Sequence, residues 1–174
     1  MDTSHLEPLS EPAGVAGQTG QAGQAGQAES GEPAASLYET VVSNRGGTSG
    51  WVDVAGGMRL PTGQPEAGAA GANPEQFLGM AWSTCLNSAV AKVLAQRGLD
   101  PALHASTVTV TVRLFGEADG EFRFAPHAAV HVPGLPAEQV REVVTAAHAR
   151  CPMSKLLTGR GTATVEALAS DEVS

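Results

Sequence analysis

Thiols are scarce in this chain. Of its 174 residues only Cys85 and Cys151 carry one. Basic residues are scarce as well: 10 Lys and Arg against 18 Asp and Glu leave a net charge of −8, which makes phosphate backbones and anionic membranes poor partners. No nucleic-acid or membrane partner is expected on that ground. Part of the acid is local, because Asp2, Glu7, Glu11, Glu29 and Glu32 fall in an opening segment that holds no Lys or Arg. The remainder is only mildly acidic, and charge names no partner for it. Long apolar runs are missing too, since none reaches the roughly 20 residues that span a bilayer. The opening Met1-Asp-Thr-Ser-His-Leu-Glu lacks the basic-then-apolar order of a signal peptide, so a cytoplasmic protein is expected. In that reducing compartment a structural disulfide is disfavoured, and a transient catalytic one stays open.

Two further shortages exclude chemistry. His127 and His131 lie on one face of a strand and His148 lies near Cys151, but a metal site needs more ligands converging at tighter spacing, so no metal is expected. Gly46-Gly47 lacks the strand–Gly-x-Gly-x-x-Gly–helix context of a nucleotide site.

What is present reads as one domain behind a tail. Residues 1–35 repeat Gly-Gln-Ala with almost no large apolar side chain, too little to offset chain entropy, and a disordered tail is expected. The triplet run has no proline, so collagen is excluded. Order is expected over 36–170. Tyr38-Glu-Thr-Val-Val-Ser, the turn cluster Asn44–Gly50 and Trp51-Val-Asp-Val54 read as a hairpin, and residues 61–72 as a loop. Asn73-Pro-Glu75 opens a helix, with Asn as N-cap, Pro in the first turn and an acid at the positive dipole end. It is expected to run to about Arg97, with Gly98 as the stop. Leu78, Ala81, Trp82, Ala89 and Lys92 share the side of Cys85, while Met80, Leu86, Val90, Val93 and Leu94 point elsewhere; a helix apolar nearly all round is a buried central helix. Ser106–Phe115 alternates as a half-buried strand, and Glu121–Val132 returns beside it. Ala137–Arg150 is amphipathic, and Pro152 ends that helix at Cys151. Gly161–Leu168 is expected to close the sheet. The order predicts an α+β domain with antiparallel sheet and few aromatics.

For the thiols, two readings stand side by side. Free cysteine is among the most buried residue types, and a thiol in apolar surroundings has its pKa raised. Catalysis needs the opposite, a thiolate beside a cation. Within the helix only Lys92 lies on the side of Cys85, nearly two turns away.

The flanking residues carry more. Asn73-Pro-Glu-Gln-Phe-Leu, with Cys85 ten residues after the Glu, resembles the Asn-Pro-Glu-Gln-Leu-Phe…Cys pattern of the OsmC/Ohr family. Ala146-Ala-His-Ala-Arg-Cys151-Pro-Met-Ser154 is similar to that family's Ala-His-x-x-Cys-Pro-Tyr-Ser. Tyr38 with Gly46-Gly47, and Val132-Pro-Gly-Leu, match its opening turn and a later strand exit. The likeness runs in register from about 36 to 168, and the cysteine pair with Asn-Pro-Glu-Gln points to the organic hydroperoxide resistance branch.

That resemblance implies an intertwined homodimer with sites at the subunit interface, and a thiol peroxidase for alkyl or lipid hydroperoxides. It implies that Cys85 attacks the peroxide and becomes a sulfenic acid, and that Cys151 resolves it as a disulfide. No bound cofactor is implied; a dithiol of lipoyl type, free or on a lipoylated protein, restores the pair. Glu75 matches the carboxylate that holds a catalytic arginine. Phe77, Leu78, Trp82 and Met153 are candidates to line a greasy substrate channel, against a plainer reading as core. The arginine departs from the pattern: the family has Gly-Gly-Arg where this chain has Gly46-Gly47-Thr48. Arg45, just before the glycines, is the candidate cation, with Arg59 and Arg160 in reserve. Met153 replaces the usual tyrosine, and Lys155–Arg160 is longer than the family's segment, which bears on the reductant and the substrate's shape. Ten residues of straight helix also part Glu75 from Cys85 by about 15 Å, so the helix starts late or bends, or one site draws on two chains. A second function stays open, a non-catalytic OsmC-like binding protein for a lipid or small hydrophobic molecule.

Overall fold

The computed structural model describes residues 35–66 and 68–168. The Gly/Gln/Ala tail expected over 1–35 therefore falls, but for its last residue, outside the described residues. A compact unit begins at Thr40. The described residues before it hold no helix or strand.

Three short strands come first: β1 (Val42–Arg45), β2 (Trp51–Val54) and β3 (Arg59–Pro61), antiparallel in that order. The hairpin starts later than Tyr38 because its partner runs out. Val42 pairs with Val54, the last residue of β2, and only the Ala55 N–H reaches back to the Val41 carbonyl. The β1–β2 turn is held by Asn44, whose side chain accepts from the Gly47 N–H and donates to the Gly47 and Trp51 carbonyls. Gly50 is required there, since a Cβ would meet the Arg45 carbonyl oxygen at 1.7 Å. Strand β3 falls where the sequence shows no alternation, because it takes its structure from the edge of β2.

Helix α1 runs from Pro74 to Gln96. Asn73 and Gln76 form a reciprocal capping box, each side chain accepting from the other's backbone N–H at 2.9 Å. Gly98, at φ 74°, ends the helix in the left-handed region as its position predicts. Strands β4 (Thr107–Gly116) and β5 (Phe122–His131) pair antiparallel over their whole length. The alternation of β4 turns half-buried Val108, Val110 and Val112 inward and Thr107, Thr109 and Thr111 outward. Helix α2 (Ala137–Arg150) and the short α3 (Pro152–Leu157) cover the rest of α1. The core is Trp82, Leu86, Ala89, Val90, Val93 and Leu94 of α1 with Val132, Val143, Ala147 and Cys151.

Two expectations meet a different outcome. Gly161–Leu168 is not a strand: all eight residues are exposed and without regular structure, because β propensity alone does not make a strand where the segment pairs with no neighbour. The antiparallel pairing expected is present, in two separate sheets. Helix α1, apolar nearly all round in sequence, is buried along one side and open on another, where Met80 is 49% exposed. Among the described residues no helix is long and apolar enough to cross a membrane.

Candidate active site

Pro152 decides the position of the second thiol. It denies Cys151 helical geometry, and Cys151 takes an extended conformation (φ −66°, ψ 121°) that closes α2 and caps α3. The kink turns its side chain onto α1. The Sγ atoms of Cys85 and Cys151 lie 3.4 Å apart, and both are free thiols. Cys151 is completely buried, whereas Cys85 is partly open to solvent.

Around the sulfurs the chain builds a small polar cluster. The backbone N–H of Ser154 donates to Cys151 Sγ at 3.5 Å. Ser154 is itself fully buried, and its hydroxyl oxygen accepts from the Trp82 indole N–H at 2.9 Å. This environment divides the two thiols. Burial pushes Cys85 up, and the neighbouring Cys151 adds to the rise, outweighing the Met153 backbone contact and the distant Lys92 charge. Burial pushes Cys151 up too, but the backbone and side chain of Ser154, with Cys85 and the Met153 backbone, more than offset it and leave Cys151 lowered. Of the two coupled thiols, Cys151 is thus the one whose pKa is lowered and Cys85 the one whose pKa is raised.

The other expected site residues do not converge on the sulfurs. Glu75 stands in the first turn of α1, and because α1 begins at Pro74 as one helical span, it remains about 15 Å along the axis from Cys85. A late helix start is thus no way out of that separation. One carboxylate oxygen of Glu75, Oε2, is buried and has no hydrogen-bond partner among the described residues. Arg45 is the exposed last residue of β1, opposite Trp51, and among the described residues it forms no ion pair. Arg59 is engaged elsewhere, paired with Asp53 at 3.3 Å and stacked 4.7 Å from the Trp51 ring centre. Arg160 reaches Thr158, and Thr48 accepts from Gln64. Phe77 is half-buried, Trp82 belongs to the core and Met153 packs against it. A groove of about 1040 Å³ lies between β3, the 65–72 loop, the first turns of α1 and the Val108–Leu114 stretch of β4. Glu75, Met80 and Ser83 line it; Phe77, Trp82, Met153 and both cysteines do not.

Comparison with known proteins bears on the whole arrangement. The family model described as OsmC-like protein matches residues 65–166, which includes both cysteines and the cap of α1. The chain belongs to the OsmC/Ohr family. Within it, this chain is 32% identical over 126 residues to an organic hydroperoxide resistance protein-like sequence of Mycoplasma pneumoniae, covering 71% of this chain and 89% of that one. It is 29% identical over 90 residues to the peroxiredoxin OsmC of Escherichia coli, covering 52% and 63%. The crystal structure of the organic hydroperoxide resistance protein OhrB of Bacillus subtilis superposes with a TM-score of 0.65 at 29% identity, covering 71% of this chain and 93% of that one. The mixed α/β architecture with antiparallel sheets and one long helix is thus that of the OsmC/Ohr fold.

Ser154 escaped the sequence reading as a functional residue. Its position was legible: three residues after a capping residue is where a backbone N–H returns to the cap side chain. Its bond to Trp82 was not, since the two are 72 residues apart.

Proposed function

We propose that this OsmC/Ohr member is a cytoplasmic, homodimeric cysteine peroxidase that reduces alkyl or lipid hydroperoxides to alcohols. The observation that carries the reading is the contact at 3.4 Å between a solvent-reachable Cys85 and a buried Cys151. The names of similar proteins, organic hydroperoxide resistance protein and peroxiredoxin, agree with it.

The thiolate of Cys85 attacks one peroxide oxygen, the O–O bond breaks, and the alkoxide leaves with a proton as the alcohol, so that Cys85 holds a sulfenic acid. Cys151 attacks that sulfur, hydroxide leaves and is protonated to water, and a disulfide forms. A dithiol of lipoyl type, on a lipoylated protein or free, reduces it by two exchanges and leaves as its own cyclic disulfide. Attack needs a thiolate on Cys85, which the single chain does not favour. The buried, unpartnered Glu75 Oε2 supports the view that a cation belongs nearby, and Arg45 is our candidate for it. The axial gap between Glu75 and Cys85 supports a site completed by a second copy. Trp82 and Met153 then form an apolar wall beside the sulfurs for an alkyl chain, with Phe77 about 12 Å further along α1 toward its N-terminus.

A second reading has its own support: the groove is large, mostly apolar in lining and separate from the sulfurs, as suits a non-catalytic carrier of a lipid or small hydrophobic molecule. Peroxide consumption with dihydrolipoamide as reductant separates the two. Turnover that favours a tertiary alkyl hydroperoxide over hydrogen peroxide and vanishes in Cys85→Ser is expected. No turnover with any dithiol would sink the peroxidase and leave the carrier.

A further inference from the structure

Two bridges join α1 to α3, and only one of them is made of sulfur. On α1, Trp82 and Cys85 are one turn apart on the same side of the helix. On α3, Cys151 is the N-cap and Ser154 follows at the third helical position. The pairs meet in parallel, Cys85 with Cys151 at 3.4 Å and Trp82 with Ser154 at 2.9 Å. The second bridge is fully withdrawn from water: Ser154 has no exposed surface and Trp82 is 8% exposed. A buried hydroxyl and a buried indole N–H that bond each other are costly to separate, because each would be left unpaired. An indole nitrogen only donates, so Ser154 Oγ is the acceptor, and its own hydrogen is free to turn to another neighbour. The next group in its own turn is Cys151 Sγ, already held by the Ser154 backbone N–H.

We propose that the Trp82–Ser154 hydrogen bond is a redox-silent clasp that holds Cys151 in register with Cys85 for disulfide formation, so that both are positioning residues for the resolving step. This deepens the peroxidase reading and, as regards catalysis, rests on it. The step in question joins Cys85 sulfenic acid and the Cys151 thiol: the S–S bond forms, the S–O bond breaks, and the thiol proton leaves with the hydroxide as water. The sulfurs must close from 3.4 Å to about 2 Å for it. Until they do, nothing covalent joins α1 to α3, and a second equivalent of peroxide competes for the sulfenic acid and carries it irreversibly to sulfinic acid. A bond one turn away that does not change with oxidation keeps the approach short. The Ser154 contribution that lowers the Cys151 thiol works in the same direction, since it favours the thiolate form of the resolver.

The test uses the full chain carrying Trp82→Phe, which removes the donor and keeps an aromatic ring, Ser154→Ala, which removes the acceptor, and the double variant. Two quantities are read. One is the equilibrium between dithiol and disulfide against a dithiothreitol redox buffer, which reports the effective concentration of one sulfur at the other and needs no peroxidase activity. The other is the fraction of Cys85 found as sulfinic acid, by mass spectrometry, after graded doses of an alkyl hydroperoxide.

Loss of one buried hydrogen bond is expected to lower the effective concentration about tenfold, with a matching rise in sulfinic acid at limiting peroxide. The rate of the first attack, measured for Ser154→Ala in a Cys151→Ser background, should stay within about twofold, since that step does not use the clasp. The double variant should behave like either single one, because both remove the same bond. Additive losses in the double variant, or an unchanged effective concentration in Trp82→Phe, would overturn the clasp. If Ser154→Ala does not fold, Trp82→Phe decides alone. Should wild type form the disulfide yet consume no peroxide, the peroxidase reading fails while the redox equilibrium still judges the clasp.

Discussion

At the scale of single residues, the two sulfurs differ in reach and in charge, and the differences oppose each other. Cys151 holds the lowered pKa but has no exposed surface; Cys85 has the raised one but meets solvent. Reagent access decides alkylation when one site is sealed. Brief treatment of the native protein with iodoacetamide is therefore expected to label Cys85 before Cys151, as peptide mapping would show, and labelling after unfolding to lose that order. The raised Cys85 pKa has a kinetic sign. Its thiolate fraction grows as pH rises through the alkaline range, so peroxide attack should climb with pH wherever no cation assists. If Arg45 supplies that cation, Arg45→Ala moves the midpoint of the attack rate upward. A midpoint that does not move removes Arg45 from the site. The two motifs that hold Cys85 and Cys151 were legible in the sequence, because each is read along the chain. Ser154 as a partner of Trp82 was not, because that bond needs two helices to meet.

At the scale of elements, α1 carries the site, and its ends are set locally. The Asn73–Gln76 capping box and the left-handed Gly98 are both determined by residues within four positions of the helix end. Asn73→Ala is expected to cost about 1 kcal/mol of folding stability, seen as a lower urea midpoint with unchanged slope. Leu86, 2% exposed against the core, should cost about 2–5 kcal/mol on change to Ala. The contrast between these two losses separates capping from packing. Local determination is also why the helix bounds and the β4–β5 ribbon could be read from spacing, while β3 and the segment Gly161–Leu168 could not. A strand is completed by a neighbour, and the alternation of Thr162-Ala-Thr-Val cannot say whether an edge is waiting. Val165 is in fact entirely exposed.

At the scale of the whole molecule, one side of α1 is open and a groove lies beside it. Met80 on α1 and the β4 valines line a cavity of about 1040 Å³ with Glu75 at its end. Our proposed second copy covers that face and brings a cation toward Cys85. Sedimentation is expected to give a dimer at micromolar concentration, and Met80→Lys, which sets a charge on the open face, to weaken it and to slow peroxide attack together. A monomeric wild type with full activity would dissociate the two ideas.

The sequence by itself determined the elements whose signals are local: the caps, the amphipathic α2, the alternating ribbon, and the Cys-Pro step that halts a helix. It also determined the family, through motifs in register. What only the tertiary structure decided is which groups share space. It brought Cys85 and Cys151, 66 residues apart, to 3.4 Å, set the Trp82–Ser154 bond beside them, and, among the described residues, left Glu75 Oε2 without a hydrogen-bond partner and Arg45 without an ion pair. The reason is physical. Propensity and capping act over a few residues, whereas burial and side-chain pairing depend on where the helices cross, and no single stretch of chain encodes that crossing.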